Sequence, residues 1–151
     1  MDLEILESKL RKPIKDILFQ CLRNSIYYGI ETAEERIQKN KRPQGLLVAS
    51  VKKTDGMAEI IFSDDGRGLD WDKLKTKYLS LNPYAKNIDK KVLLPLIFKP
   101  GFSTSEEVTT VAGRGVGLSY VKDVVKEYNG TINVSSTESG ITFRFVLPIP
   151  T

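Results

Sequence analysis

A chain of 151 residues, 40% apolar and 28% charged, is sized for one domain around a single core, and this composition excludes collagen-like, disordered and coiled-coil classes. Its net charge of +4 suits an anionic ligand but is too small to argue for nucleic acid. The sequence has no histidine and one cysteine, Cys21, which excludes imidazole bases, zinc clusters and an internal disulfide, so any chemistry falls to carboxylates, amides, lysines, arginines or a hard metal ion.

In chain order, Leu3, Leu6 and Leu10 predict a short helix over residues 3 to 11. Pro13 suits the first turn of a second helix reaching about Tyr28, with Ile14, Ile17, Leu18, Cys21, Leu22, Ser25 and Ile26 on one stripe and Gly29 as its stop. Thr32-Ala33-Glu34-Glu35 is a capping-box signature for a short third helix ending near Lys39. The period then drops to two. Leu47, Ala49 and Val51 alternate with smaller or polar neighbours, as do Ala58, Ile60 and Phe62, and Thr54-Asp55-Gly56 joins the runs as a hairpin. Helices are predicted from Trp71 to Leu81 and from Asp89 to Phe98, then a long loop rich in Pro, Gly, Ser and Thr from Lys99 to Gly113. A last helix runs from Gly115 to Tyr128, ended by Asn129-Gly130, and Thr131 to Ser136 with Ile141 to Leu147 form a closing hairpin. This order predicts an α+β fold, a mostly antiparallel sheet covered by helices on one face. The longest apolar run, Val92 to Phe98, contains Pro95 and is far too short to cross a bilayer. With no signal-peptide pattern at Met1 and a lone cysteine, a reducing cytoplasm is expected.

Three segments carry the chemistry. Arg23-Asn24 sits mid-helix, where Asn is a poor helix former. It fits a solvent-facing polar residue, or a carboxamide offered to Mg²⁺ with an arginine beside it for phosphate. Asp64-Asp65-Gly66-Arg67-Gly68 follows a strand and fits a tight turn, or a carboxylate beside bare backbone that accepts a hydrogen bond from the exocyclic amine of a planar ligand. Gly113-Arg114-Gly115-Val116-Gly117 runs into a helix and fits a hinge, or a loop bringing backbone N–H groups to an anion. Its glycine spacing and the absence of a βαβ frame argue against a Rossmann site, and no Gly-Lys-Ser/Thr makes it a Walker loop.

In this order and spacing the segments resemble the GHKL ATP-binding family of gyrase, chaperone, histidine-kinase and MutL-type ATPases. Within it, Leu22-Arg23-Asn24-Ser25-Ile26, Gly29-Ile30-Glu31-Thr32, Glu35-Arg36, Asp64 to Asp70, Pro100-Gly101-Phe102-Ser103-Thr104, Gly113 to Leu118, Val121-Lys122 and Leu147-Pro148 are most similar to the ATP-binding domain of CheA-type chemotaxis histidine kinases. The resemblance covers the chain from about Leu3 and implies one HATPase-type domain over 1–151, taken from a longer signalling kinase. It also implies a Bergerat-type two-layer sandwich, α/β in the broad sense, with a mobile ATP lid.

By that resemblance Asn24 ligates Mg²⁺ through the ATP phosphates, with Arg23 nearby and Gln20 where the family has a histidine. Asp64 reads the adenine amine, Gly66 belongs to the same nucleotide site, Gly68 makes room for the base, and Thr142 supports it through water. Lys73 and Lys77 lie near the nucleotide, Ser103 and Thr104 in the lid, and Gly113, Arg114, Gly115, Val116, Gly117 and Leu118 wrap the triphosphate. ATP and Mg²⁺ are the implied cofactors, and transfer of the γ-phosphate to a histidine is the implied reaction. With no histidine here, the acceptor belongs to a phosphotransfer domain elsewhere, in cis or in trans. A response regulator downstream, chemoreceptor and coupling proteins reached through other domains, no nucleic acid, no membrane contact and a monomeric domain complete the expectation. Gln20, Tyr27-Tyr28 in place of the family's Asp-His, and Ser105 in place of a lysine bear on catalysis. They leave a catalytically impaired nucleotide-binding module as one alternative; an anti-sigma-type serine kinase is another.

Overall fold

The structure, a computed structural model, describes residues 9–100 and 117–150. Among these residues the first helix, α1 (Arg11–Asn24), buries Pro13, Ile14, Ile17 and Cys21 along one stripe. The predicted stripe was wider. Leu22, within the regular helix, flanks the buried stripe, and Ile26 faces outward in the π-helical turn, Ser25–Gly29, that follows Asn24. Most of the predicted helix over 3–11 lies outside the described residues. The next helix, α2 (Ala33–Gln38), opens with the expected capping box: the Glu35 amide donates to Thr32 Oγ1 (3.2 Å) and the Thr32 amide to Glu35 Oε2 (2.9 Å).

Strands β1 (Leu47–Thr54) and β2 (Met57–Asp64) form the first hairpin. Its two-residue turn has positive φ at both Asp55 and Gly56, the geometry that matches strand twist. After it, α3 (Trp71–Leu81) is capped by Asp70, whose side chain accepts from the Lys73 amide. The predicted helix from Asp89 to Phe98 is instead one α turn, α4 (Lys90–Leu93), followed by a 3₁₀ segment (Leu94–Phe98). Pro95 has no N–H for an i−4 bond, and the tighter turn accommodates it. Then α5 (Gly117–Glu127) leads through Asn129, at φ 56°, to β3 (Thr131–Thr137) and β4 (Gly140–Pro148).

The four described strands lie in the order β1-β2-β4-β3 and every pair is antiparallel, in keeping with the expected antiparallel sheet. Alternation decides which face is covered. Ala58, Ile60 and Phe62 of β2, with Ile141, Phe143, Phe145 and Leu147 of β4, pack against Ile14 and Ile17 of α1, Leu74 of α3 and Val121 and Val125 of α5. The opposite face carries polar residues, including an Arg144–Glu59 pair (2.6 Å). Asp64 continues the inward register of β2 by one position. A carboxylate therefore ends a core stripe, between sheet and helices.

Candidate functional site

The end of α1 supplies the first half of the site. Gln20 and Asn24, four residues apart, share a helix face. Their side-chain oxygens both approach the first residue of α5: a Cβ on Gly117 would lie 3.6 Å from Gln20 Oε1 and 3.7 Å from Asn24 Oδ1. Gly117 puts no side chain into that space, at the positive end of the α5 dipole. Arg23, the neighbour of Asn24, stacks its guanidinium 4.9 Å above the Phe19 ring. Leu118 is half-buried against the core.

Ser25, one residue beyond Asn24, faces the other half. Its Oγ donates to Asp64 Oδ2 at 2.6 Å, while Asp64 Oδ1 accepts from the amides of Gly66 (2.9 Å) and Ile141 (3.4 Å). Asp64 is 8% exposed, and every bond recorded at its carboxylate is donated to it. Gly66 is required by close approach, because a Cβ there would run into the Gly29 carbonyl. At Gly68, φ is 72°, and a Cβ would meet the Thr137 carbonyl. The turn from Asp64 to Gly68 is thus pressed between the π turn and the β3–β4 hairpin, with the Arg67 amide donating to Gly29 O (2.8 Å) and the Leu69 amide to Ser136 Oγ (2.7 Å). Burial, with the Asp64 charge nearby, pushes the Cys21 thiol up to about 12 and keeps it protonated.

Behind the turn lies a buried ionic network. Arg36, 1% exposed, pairs with Glu31 (3.0 Å) and Asp65 (2.8 Å), and Lys41 pairs with Glu31 (2.8 Å). Burial raises the Glu31 carboxyl, but the Lys41 hydrogen bond, its own backbone amide and the charges of Lys41 and Lys39 outweigh it and hold the pKa down at about 2. A carboxyl depressed in the folded state stabilises above its unfolded pKa, near 4.5, and loses that contribution as pH falls toward 2. The interval corresponds to on the order of 3 kcal/mol. Urea midpoints should therefore fall between pH 4.5 and 2 in the parent protein, and Glu31→Gln should flatten that limb; an equally steep limb in the variant refutes the assignment.

The structure brings together Gln20, Asn24 and Gly117 at one pole and Asp64 and Gly66 at the other, with Gly68 packing the same turn. Lys73 and Lys77 lie one turn apart on α3. Thr142 does not join them: it pairs with Ser63, faces the opposite side of the sheet from Asp64, and leaves that contact to the Ile141 amide. Ser103, Thr104, Gly113, Arg114, Gly115 and Val116 lie outside the described residues, as do Ser105 and most of the predicted lid. Sequence reading had placed Ser25 in the core stripe and missed the ionic network altogether. No pattern linked Arg36 to Asp65, 29 residues away.

The donor set suits a magnesium nucleotide. Carboxamide oxygens are hard neutral ligands for Mg²⁺, the open space at Gly117 admits an anion beside a helix start, and Asp64 is an acceptor for an amine. Among the described residues, no three or more His, Cys, Asp or Glu side chains gather as a metal cage, and no helix is long and apolar enough to cross a membrane.

The family model for histidine kinase-, DNA gyrase B- and HSP90-like ATPases (HATPase_c) matches residues 10–151. The chain is 39% identical over 148 residues to the chemotaxis protein CheA of Treponema pallidum, covering 95% of this chain and 18% of that protein. To CheA of Salmonella typhimurium it is 38% identical over 146 residues, covering 95% and 22%. It thus spans about a fifth of the length of these relatives. Among solved structures, the catalytic domain of histidine kinase ThkA in a nucleotide-free form superposes with a TM-score of 0.56 at 19% identity, over 94% of this chain and 69% of that one, a likeness of fold.

Proposed function

Since the chain belongs to the family of histidine kinase-, DNA gyrase B- and HSP90-like ATPases, we propose that it is the ATP-binding catalytic domain of a CheA-like histidine kinase, moving the γ-phosphate of ATP to a histidine on a separate phosphotransfer domain. One observation carries the reading: adjacent residues at one helix end, Asn24 and Ser25, serve two poles, a carboxamide pair beside the α5 start and a buried acceptor at Asp64. Those poles match the two ends of a nucleotide, triphosphate and base. Asp64, fixed from three sides, accepts the adenine amine, and the glycine at position 66 lets the turn close onto the Gly29 carbonyl with its amide on Asp64 Oδ1. Asn24 and Gln20 would hold magnesium together with the phosphates. When bound, the ion offsets phosphate charge during transfer.

Gln20 cannot take a proton from an attacking imidazole, so the protein's share of catalysis is positioning and charge compensation. The acceptor histidine lies outside these 151 residues, since they contain none. In this reading the partners are the phosphotransfer domain, a response regulator downstream, and chemoreceptor and coupling proteins reached through other domains, all in the cytoplasm.

Two experiments test it. Mixed with γ-labelled ATP, Mg²⁺ and a phosphotransfer domain from a CheA-type kinase, the protein should transfer label to a base-stable, acid-labile phosphohistidine. Acid-stable phosphoserine, or no transfer despite ATP binding, overturns the histidine-kinase reading. Asn24→Ala should bring calorimetric ATP affinity in Mg²⁺ down to the value measured in EDTA. Undiminished magnesium enhancement would remove Asn24 from the metal.

A further inference from the structure

Two cations, Arg36 and Lys41, converge on the peptide groups that follow Asp64, and Glu31 joins them from behind. Lys41 Nζ donates to the carbonyls of Asp65 (3.1 Å) and Gly66 (2.7 Å) and to Glu31 Oε2 (2.8 Å), which uses all three of its protons. Arg36 donates to the Asp65 carbonyl (3.2 Å), the Asp65 carboxylate (2.8 Å), Glu31 (3.0 Å) and the Arg42 carbonyl (2.7 Å). Asp65 is also tied to β1 at its edge, accepting from the Leu46 amide at 2.8 Å. Glu31, fully buried, is the shared anion that sets Arg36 and Lys41 side by side. A buried pair of this kind is weak evidence for stability as such, because desolvation offsets most of its attraction. Its geometry is more informative. The donors point at two consecutive carbonyls of a loop, and the Gly66 amide of that same loop holds Asp64 Oδ1.

We infer that Lys41, aligned by Glu31 and Arg36, is a positioning residue for base recognition: it fixes the Asp65–Gly66 peptides and thereby the direction in which Asp64 presents its free acceptor, without touching the nucleotide. The inference rests on the reading of Asp64 as the adenine acceptor. It separates two ends of the ligand. The triphosphate pole is built from Gln20, Asn24 and the Gly117 end of α5, and the bonds of Lys41, Arg36 and Glu31 run instead to the Asp65–Gly66 loop, so a loosened clamp weakens base recognition alone.

Binding of ATP and of inorganic tripolyphosphate, both with Mg²⁺, should be measured by calorimetry on the parent protein and on Lys41→Met. Losing two charge-assisted bonds to the loop should weaken ATP by about tenfold or more, with tripolyphosphate unchanged. The double variant Lys41→Met/Glu31→Gln removes the carboxylate that the single change leaves short of a partner. It should fold and show the same split. Unchanged ATP affinity in either variant overturns the inference, as does a parallel loss of both ligands, the mark of a merely structural role. A parent protein that binds tripolyphosphate but not ATP overturns the adenine reading itself and this inference with it; a parent that binds ATP, beside variants that bind it equally well, overturns this inference alone.

Discussion

Asp64→Asn should weaken ATP binding by about 10- to 150-fold, the equivalent of one charge-assisted hydrogen bond at about 1.5–3 kcal/mol, with little change in melting temperature. The fold tolerates the swap for a local reason. The Asn oxygen can occupy the Oδ1 position and keep the Gly66 and Ile141 amides satisfied. The new NH₂ then lies where Oδ2 accepted from Ser25, and a hydroxyl can rotate from donating to accepting. What cannot be repaired is the acceptor facing the ligand, since an amide N–H meets the adenine amine as donor against donor. The same N–H suits a 6-oxo purine, so the ratio of ATP to GTP affinity should collapse toward one. Competition calorimetry with both nucleotides measures it. A variant that still prefers ATP at the parent ratio removes Asp64 from base recognition.

Arg36→Met should cost at most about 3–5 kcal/mol of folding stability, because it takes one of the close cations from the buried Glu31 carboxylate, leaving Lys41 and Lys39, and a second donor from Asp65. Arg36 is 1% exposed and the Glu31 side chain fully buried, so water cannot replace the lost guanidinium. Methionine fills much of the same volume, so the loss is electrostatic rather than a cavity effect. Adding Glu31→Gln to Arg36→Met should restore a large part of the stability. Urea denaturation of the three proteins decides the matter. A single-variant loss below about 1 kcal/mol would mean the network behaves like a solvated surface pair.

The hairpins were readable because alternation and the Asp55-Gly56 turn are local signals, and α2 was readable from its capping box. The π turn was not, since an apolar stripe looks the same whether or not the helix widens after Asn24; Ile26 was misassigned for that reason, and Leu22 because it borders the buried stripe. Asn24, Asp64, Gly66 and Gly68 were singled out through motif spacing, and folding sets Asn24 at one pole and Asp64 and Gly66 at the other. Ser25 was hidden because a small residue on an apolar stripe reads as packing. The side of the sheet that Thr142 takes was legible too: Ile141, Phe143, Phe145 and Leu147 alternate along one face and turn Thr142 to the other. The Glu31–Arg36–Lys41 network had no local signature, because its meaning depends on a loop that only the folded chain brings near.

The central β2–β4 seam has a kinetic consequence. Each hairpin closes from neighbouring residues, whereas the seam pairs Phe62 with Phe143 and Ser63 with Thr142 across most of the chain. Contacts that distant carry the larger loop-closure entropy and form after the local ones. The Ile141 amide reaches Asp64 only when that seam zips. During folding the carboxylate therefore stays hydrated until the second hairpin docks, and the pocket gains its shape at the last cooperative step rather than from the strand that carries it.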